Sequence, residues 1–172
     1  MPVDPGEVRR FCALCDQIEN GLHQKADVSE LLARWNQRAN RKHEPREFLD
    51  YSGAIDTEVF VRIALAPPPR PVADLSYAEL RSVVESVTKV QLDEAEQDWF
   101  LNWLEVQLPG ASVSGLLFQP AEWFGVPEAH SFEFTADQLL RAAMTRSGRH
   151  FADAPEVVLP FEVRPPQRVL VT

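Results

Sequence analysis

The sequence predicts an all-α protein. A helical bundle occupies its C-terminal half, preceded by an N-terminal helical extension and followed by an extended tail. Three observations carry this. Five stretches pair a capping side chain with an acid or amide three residues on: Asp4-Pro5-Gly6-Glu7, Asp27-Val28-Ser29-Glu30, Ser76-Tyr77-Ala78-Glu79, Asp93-Glu94-Ala95-Glu96 and Thr135-Ala136-Asp137-Gln138. Each opens a run of apolar residues at helical spacing. Strand-like alternation is absent until residue 156.

In chain order, Val8, Phe11, Cys12, Cys15, Ile18 and Leu22 stripe the first helix, and Val28, Leu31, Leu32 and Trp35 the second. A basic loop, 38–46, leads to a short helix holding Phe48 and Leu49 and another holding Val59, Phe60 and Ile63. Residues 67–71 then place four prolines in five positions, which a helix cannot accommodate, and read as a stiff spacer. Beyond it, Leu80, Val83, Val84 and Val87 line one helix and Trp99, Phe100, Trp103 and Leu104 the next, both tryptophans being expected in the core. Leu139, Leu140 and Ala143 mark a last helix ending near Gly148. Residues 156–163 and 168–172 look extended, their prolines limiting them to an edge strand or a strap. The expected organisation is an N-terminal segment 1–66, a spacer 67–73, a bundle 74–148 and a tail 149–172, with one compact body as the alternative.

The net charge of −9 is concentrated. Residues 71–134 hold 11 acids against Arg81 and Lys89, whereas 1–70 and 135–172 are close to balance. Nucleic-acid binding calls for the opposite sign, so an acidic surface points to a basic protein partner or to a merely solvated face. No apolar run reaches the ~18 residues of a membrane span, and the start MPVDPGEVRR has no secretory core. Two cysteines make no disulfide framework and favour a reducing, cytoplasmic setting.

Catalytic and cofactor chemistry finds no footing. Cys12 and Cys15 sit within a helical stripe and read as small thiols on its face. The four histidines are scattered and read as surface or capping residues. No metal, phosphate-loop or nucleophile-elbow spacing occurs, so the expectation is a non-enzyme without cofactor or metal. The stretch SVSGLLFQPAEWFG, 112–125, is too broken for a long helix and too apolar for an ordinary loop.

Taken together, DLSYAELRSVVESV, DEAEQDWFLNWLEV, LPGASVSGLLFQP and FTADQLLRAAM resemble, over residues 74–146, the colicin and pyocin nuclease immunity proteins. These are small acidic four-helix inhibitors. The resemblance implies a third short helix that meets a toxin beside the acidic second helix and blocks it without chemistry. By position, Leu116 and Leu117 correspond to the inward-packing pair, Phe118 and Gln119 to two toxin-contacting tyrosines, and Pro120 to the terminating proline. Gly115 replaces an aspartate, the segment is longer by about two residues, and the N-terminal 70 residues have no counterpart. Without those polar groups the chain is not expected to neutralise a colicin nuclease itself. The expectation is a cytoplasmic immunity protein occluding a cognate toxin with a basic surface. Its expected contact residues are Glu94, Asp98, Glu105, Phe118, Gln119, Glu122 and Trp123, with neither nucleic acid nor membrane as partner. The alternative is a helical interaction or regulatory module with no toxin.

Overall fold

The computed structural model describes residues 3–89 and 92–163. These fold into nine α-helices with two short 3-10 turns and no strand among the described residues. The helices are α1 (Pro5–His23), α2 (Ser29–Arg38), α3 (Glu47–Asp50), α4 (Thr57–Leu65), α5 (Tyr77–Thr88), α6 (Glu94–Gln107), α7 (Val113–Phe118), α8 (Pro120–Phe124) and α9 (Ala136–Ser147). The chain forms two compact units. One joins the residues up to Pro68 with Asp93–Trp99; the other joins Pro69–Leu92 with everything from Phe100 onward. The division falls inside the proline run. The first turns of α6 group with the N-terminal unit, and the described part of the tail, 149–163, packs within the C-terminal one.

Two of the five expected helix starts are made as pictured, and a third shows the capping half of the exchange. At α5, Ser76 Oγ accepts from Glu79 N–H while Ser76 N–H donates to Glu79 at 2.9 Å, and Thr135 and Gln138 repeat the exchange at α9. At α6, Asp93 accepts from Glu96 N–H at 3.0 Å. The other two differ for local reasons. Asp4 caps Glu7 N–H, but the Glu7 carboxylate turns away to bind Arg38 at 2.7 Å. Asp27 takes both the backbone N–H and the hydroxyl of Ser29, a tight turn that leaves Val28 at the α2 cap position without a capping side chain.

The N-terminal unit packs α1 against α2, α3 and α4. Its core holds Val8, Leu14, Cys15, Ile18, Trp35, Phe48, Tyr51, Phe60, Val61, Ala64 and Leu65. Trp35 is fully buried, stacked on Phe60 at 5.6 Å between ring centroids and edge-on to Phe48 at 4.9 Å. Cys15 is buried and Cys12 half-buried, both as free thiols, and burial pushes Cys15 up to about 11. The basic loop is not an open cationic surface. Arg38 pairs with Glu7, Arg41 with Glu47, Lys42 with Glu44 and Arg46 with Asp50.

One histidine departs from expectation. His43 is a core residue, 2% exposed, wedged edge-on against Trp35 and Phe60. Its backbone is held by the Asn36 amide, which accepts from His43 N–H at 2.7 Å and donates to its carbonyl at 3.0 Å. Its scattered position among the histidines pointed to a surface or capping role, but the Asn36 clamp holds the loop with the ring inward. Burial, reinforced by the Arg41 charge, lowers its pKa below 6.5. An unfolded chain then binds the proton that the folded one refuses, so stability falls as pH drops through the window below 6.5. Urea titrations of the full chain at several pH values should show this slope, and His43→Phe should flatten it.

The C-terminal unit gathers α5, the end of α6, α7, α8 and α9 around Leu80, Val84, Leu104, Leu108, Leu116, Phe124, Leu140 and Met144. Across α5 and α9, Asp137 accepts from both Tyr77 Oη and Arg81 Nε at 2.8 Å. The tail is a strap rather than a strand. Val157, Leu159, Phe161 and Val163 are half-buried while Glu156, Val158, Pro160 and Glu162 face solvent, the period of an extended chain on a core. Residues 168–172 lie outside the described residues. The tryptophans expected in the core are half-buried: Trp103 lies in this unit, and Trp99, in the N-terminal one, donates to the Pro67 carbonyl at 2.7 Å.

Gln107, at the last turn of α6, is fully buried. Its amide accepts from Val72 N–H at 2.9 Å and donates to Arg70 O at 2.8 Å, while its backbone carbonyl and Val72 O both accept from the Arg149 guanidinium. The end of the proline-rich segment, from Arg70 to Val72, is thereby tied down within this unit. Gln107→Leu keeps the volume but strands the Val72 N–H, and is expected to cost ~1–3 kcal/mol in urea unfolding.

Candidate functional site

Residues 112–125 form two short helices joined at Gln119, whose backbone (φ −136°, ψ 52°) leaves the helical region before Pro120 starts α8. Ser112 opens the pair in the left-handed region at φ 55°, and Gly125 closes it at φ 68°. Val113 and Leu116 are buried, and Leu117 packs against the same core, so the two leucines turn inward as expected. Phe118 is 59% exposed, and Gln119 and Glu122 face solvent beside it in the chain.

Trp123 requires a correction. Expected on the outer face, it is 7% exposed and belongs to the core. Its indole N–H donates to Ala111 O at 2.7 Å, its ring meets Phe124 at 4.7 Å, and the Arg146 guanidinium lies 4.6 Å from the ring centre. Every face of the side chain thus has an intramolecular use. A spacing signal was present: Val113, Leu116 and Trp123 fall on one helical phase.

The remaining expected residues divide between the units. Glu94 is exposed and Asp98 half-buried, both on the part of α6 that groups with the N-terminal unit. Glu105 belongs to the C-terminal unit and has a structural role. Its carboxylate accepts from the Ser114 backbone N–H at 3.0 Å and hydroxyl at 3.1 Å, fastening the start of α7 to α6. Phe118, Gln119 and Glu122 are therefore the expected contact residues that the C-terminal unit presents within one short segment, their side chains making no hydrogen bond or ion pair among the described residues.

Charge along the sequence through this segment is one-sided. No lysine or arginine occurs between Lys89 and Arg141. Other acids of the unit are engaged, Glu85 with Arg81 and Lys89 and Asp137 with Arg81. Glu122, Glu128 and Glu133 are exposed and make no ion pair among the described residues. Gly115, where the resemblance places an aspartate, has a steric reason. A Cβ there would lie 2.7 Å from Ser112 Oγ and 3.5 Å from the Trp123 ring, so a side chain enters only if the hydroxyl turns aside.

Among the described residues, no group of three His, Cys, Asp or Glu side chains could hold a metal, and no helix is long and apolar enough to cross a membrane. No family model, curated protein or solved structure matches the chain.

The two aromatics should separate cleanly in thermal and urea unfolding. Trp123→Ala removes a buried ring and a buried hydrogen bond, with an expected loss of ~3–5 kcal/mol. Phe118→Ala should stay within about 0.5 kcal/mol of the parent.

Proposed function

We propose that the chain is an immunity protein that binds a cognate bacterial toxin in the cytoplasm and occludes it without chemistry. One observation carries the reading. Phe118 is a large aromatic side chain left 59% exposed at a helix end, in a stretch of 51 residues, 90–140, that holds no lysine or arginine. An exposed aromatic ring in an acidic stretch of chain suits a partner offering an apolar pocket in a basic surface. Desolvating the ring supplies affinity, and the unpaired carboxylates raise the encounter rate and select the partner. The ring is set by structure rather than by chance, since Leu116 beneath it is buried and Glu105 fixes the start of the helix. The order of helices and the resemblance of residues 74–146 to nuclease immunity proteins give this surface a toxin as its occupant. The Gly115, Phe118 and Gln119 differences imply a toxin other than a colicin nuclease.

The test is co-expression with the toxic product of the adjacent gene. The parent chain should restore growth and form a complex whose association rate falls with added salt. Phe118→Ala should weaken that complex by ~30-fold, as loss of a central anchor does, and abolish protection while the melting temperature holds. Full protection and unchanged affinity in the folded Phe118→Ala chain would sink the reading.

A further inference from the structure

We infer that the N-terminal unit holds a small-molecule site that takes a free α-amino acid with a cationic side chain.

A cavity of about 550 Å3 lies in this unit, a size within the ~300–1,000 Å3 range of small-molecule sites. Its described lining belongs wholly to the one unit. Val3 and Val8 supply apolar surface, and Val8 is itself seated in the core. Arg9 lines the cavity from α1, Glu58 and Arg62 from α4, and Glu96 from the first turn of α6. Asp93 fixes two of these positions. It pairs with Arg62 at 2.9 Å and accepts from Glu96 N–H at 3.0 Å, which ties the start of α6 to α4 at the cavity wall.

The remaining charges do not cancel one another. Glu58 and Arg62 stand four residues apart on α4, a spacing at which opposite charges ordinarily pair, but Arg62 is taken by Asp93. Arg9, Glu58 and Glu96 make no ion pair among the described residues, although all three line the same cavity. One cation and two carboxylates are thus left open to one space. An amino acid with a basic side chain carries the complement: one carboxylate, an α-ammonium and a side-chain cation. Its carboxylate goes to Arg9, whose guanidinium can donate two parallel N–H bonds. Its two cations go to Glu58 and Glu96, and its methylenes lie on the valines. The last residue of a peptide lacks the ammonium and the first lacks the carboxylate, so either leaves one charge of the cavity unmatched. Phosphate-bearing ligands are disfavoured by the two glutamates. The site uses none of Phe118, Gln119 and Glu122, so it stands or falls apart from the toxin reading.

The probe is L-arginine, titrated at constant ionic strength into the isotope-labelled full chain and followed by NMR. Three analogues each lack one group: citrulline the side-chain charge, agmatine the carboxylate and Nα-acetylarginine the α-ammonium. L-Arginine should shift the methyl signals of Val3 and Val8 saturably. Each analogue should bind ~3-fold more weakly, as loss of one partly exposed ion pair implies. Arg9 is exposed, and Arg9→Gln should lower the affinity for L-arginine to that for agmatine while leaving agmatine unaffected. Glu58→Gln, also at an exposed position, should weaken L-arginine by a similar ~3-fold. Four results would each overturn the proposal: an analogue that binds as tightly as L-arginine, a preference for L-arginine over agmatine that survives Arg9→Gln, undiminished binding by Glu58→Gln, or no saturable shift at Val3 and Val8 by ~20 mM, where a millimolar site is nearly filled.

Discussion

Each unit depends on one amide side chain that ties an irregular segment to helices. Gln107 and His43 are the buried polar residues among those described, and they face the same physical problem. A non-helical segment brings backbone N–H and carbonyl groups that its own structure does not satisfy, and burying them unpaired is costly. In the C-terminal unit the segment after the prolines is matched by Gln107, whose amide supplies one acceptor to Val72 and one donor to Arg70. In the N-terminal unit the loop after α2 is matched by Asn36, which offers the same pair to the backbone of His43 and so seats its ring among Trp35, Phe48 and Phe60. An amide side chain carries a donor and an acceptor side by side, which is why it can replace a missing strand or helix neighbour. Arg149 extends the arrangement by donating to Gln107 O and Val72 O.

Electrostatics then separates structural charge from charge free to act. In the N-terminal unit, the basic loop spends its charge locally, each of Arg38, Arg41, Lys42 and Arg46 meeting an acid. Such exposed pairs add little stability. Their effect is to offset the positive charge of the loop locally. In the C-terminal unit, Glu79 closes a cap, Glu105 a helix start and Asp137 a helix pair, while Glu85 pairs with Arg81 and Lys89 along its own helix. Glu122, Glu128 and Glu133 do none of this. The distinction matters because an acid already engaged inside the fold gains little from a partner, whereas an unengaged one gains the full interaction.

Helix existence and order were legible in the sequence because capping chemistry and apolar period agree there. Ser76 with Glu79 and Thr135 with Gln138 are local interactions spanning a single turn, and the sequence contains all that decides them. What was not legible depends on residues far apart in the chain. Glu7 leaves its own helix start for Arg38, and Gln107 finds Arg70 and Val72, each more than thirty residues away. His43 follows the same rule at shorter range: Asn36 decides its burial. The proline run was legible as a break, but a break can be a free spacer or a bound segment. Only the buried amide that receives it distinguishes the two.

The stretch 112–125 shows how far local reasoning reaches at a site. Its division into inward leucines and an outward phenylalanine follows from helical phase, because Phe118 lies about 200° around the axis from Leu116. Trp123 lies seven residues from Leu116 and returns to nearly the same phase, so it belongs inside. Pro120 obscures this by seeming to reset the count. The non-helical turn at Gln119 is short enough that α8 resumes close to the phase of α7, and Trp123 is drawn to a core that offers its indole N–H the Ala111 carbonyl. An exposed tryptophan would forgo that bond, its contact with Phe124 and the Arg146 guanidinium over its ring. Phe118 has no polar atom to satisfy and no internal partner waiting for it. Of the two aromatics, it is therefore the one the fold can leave for a partner to cover.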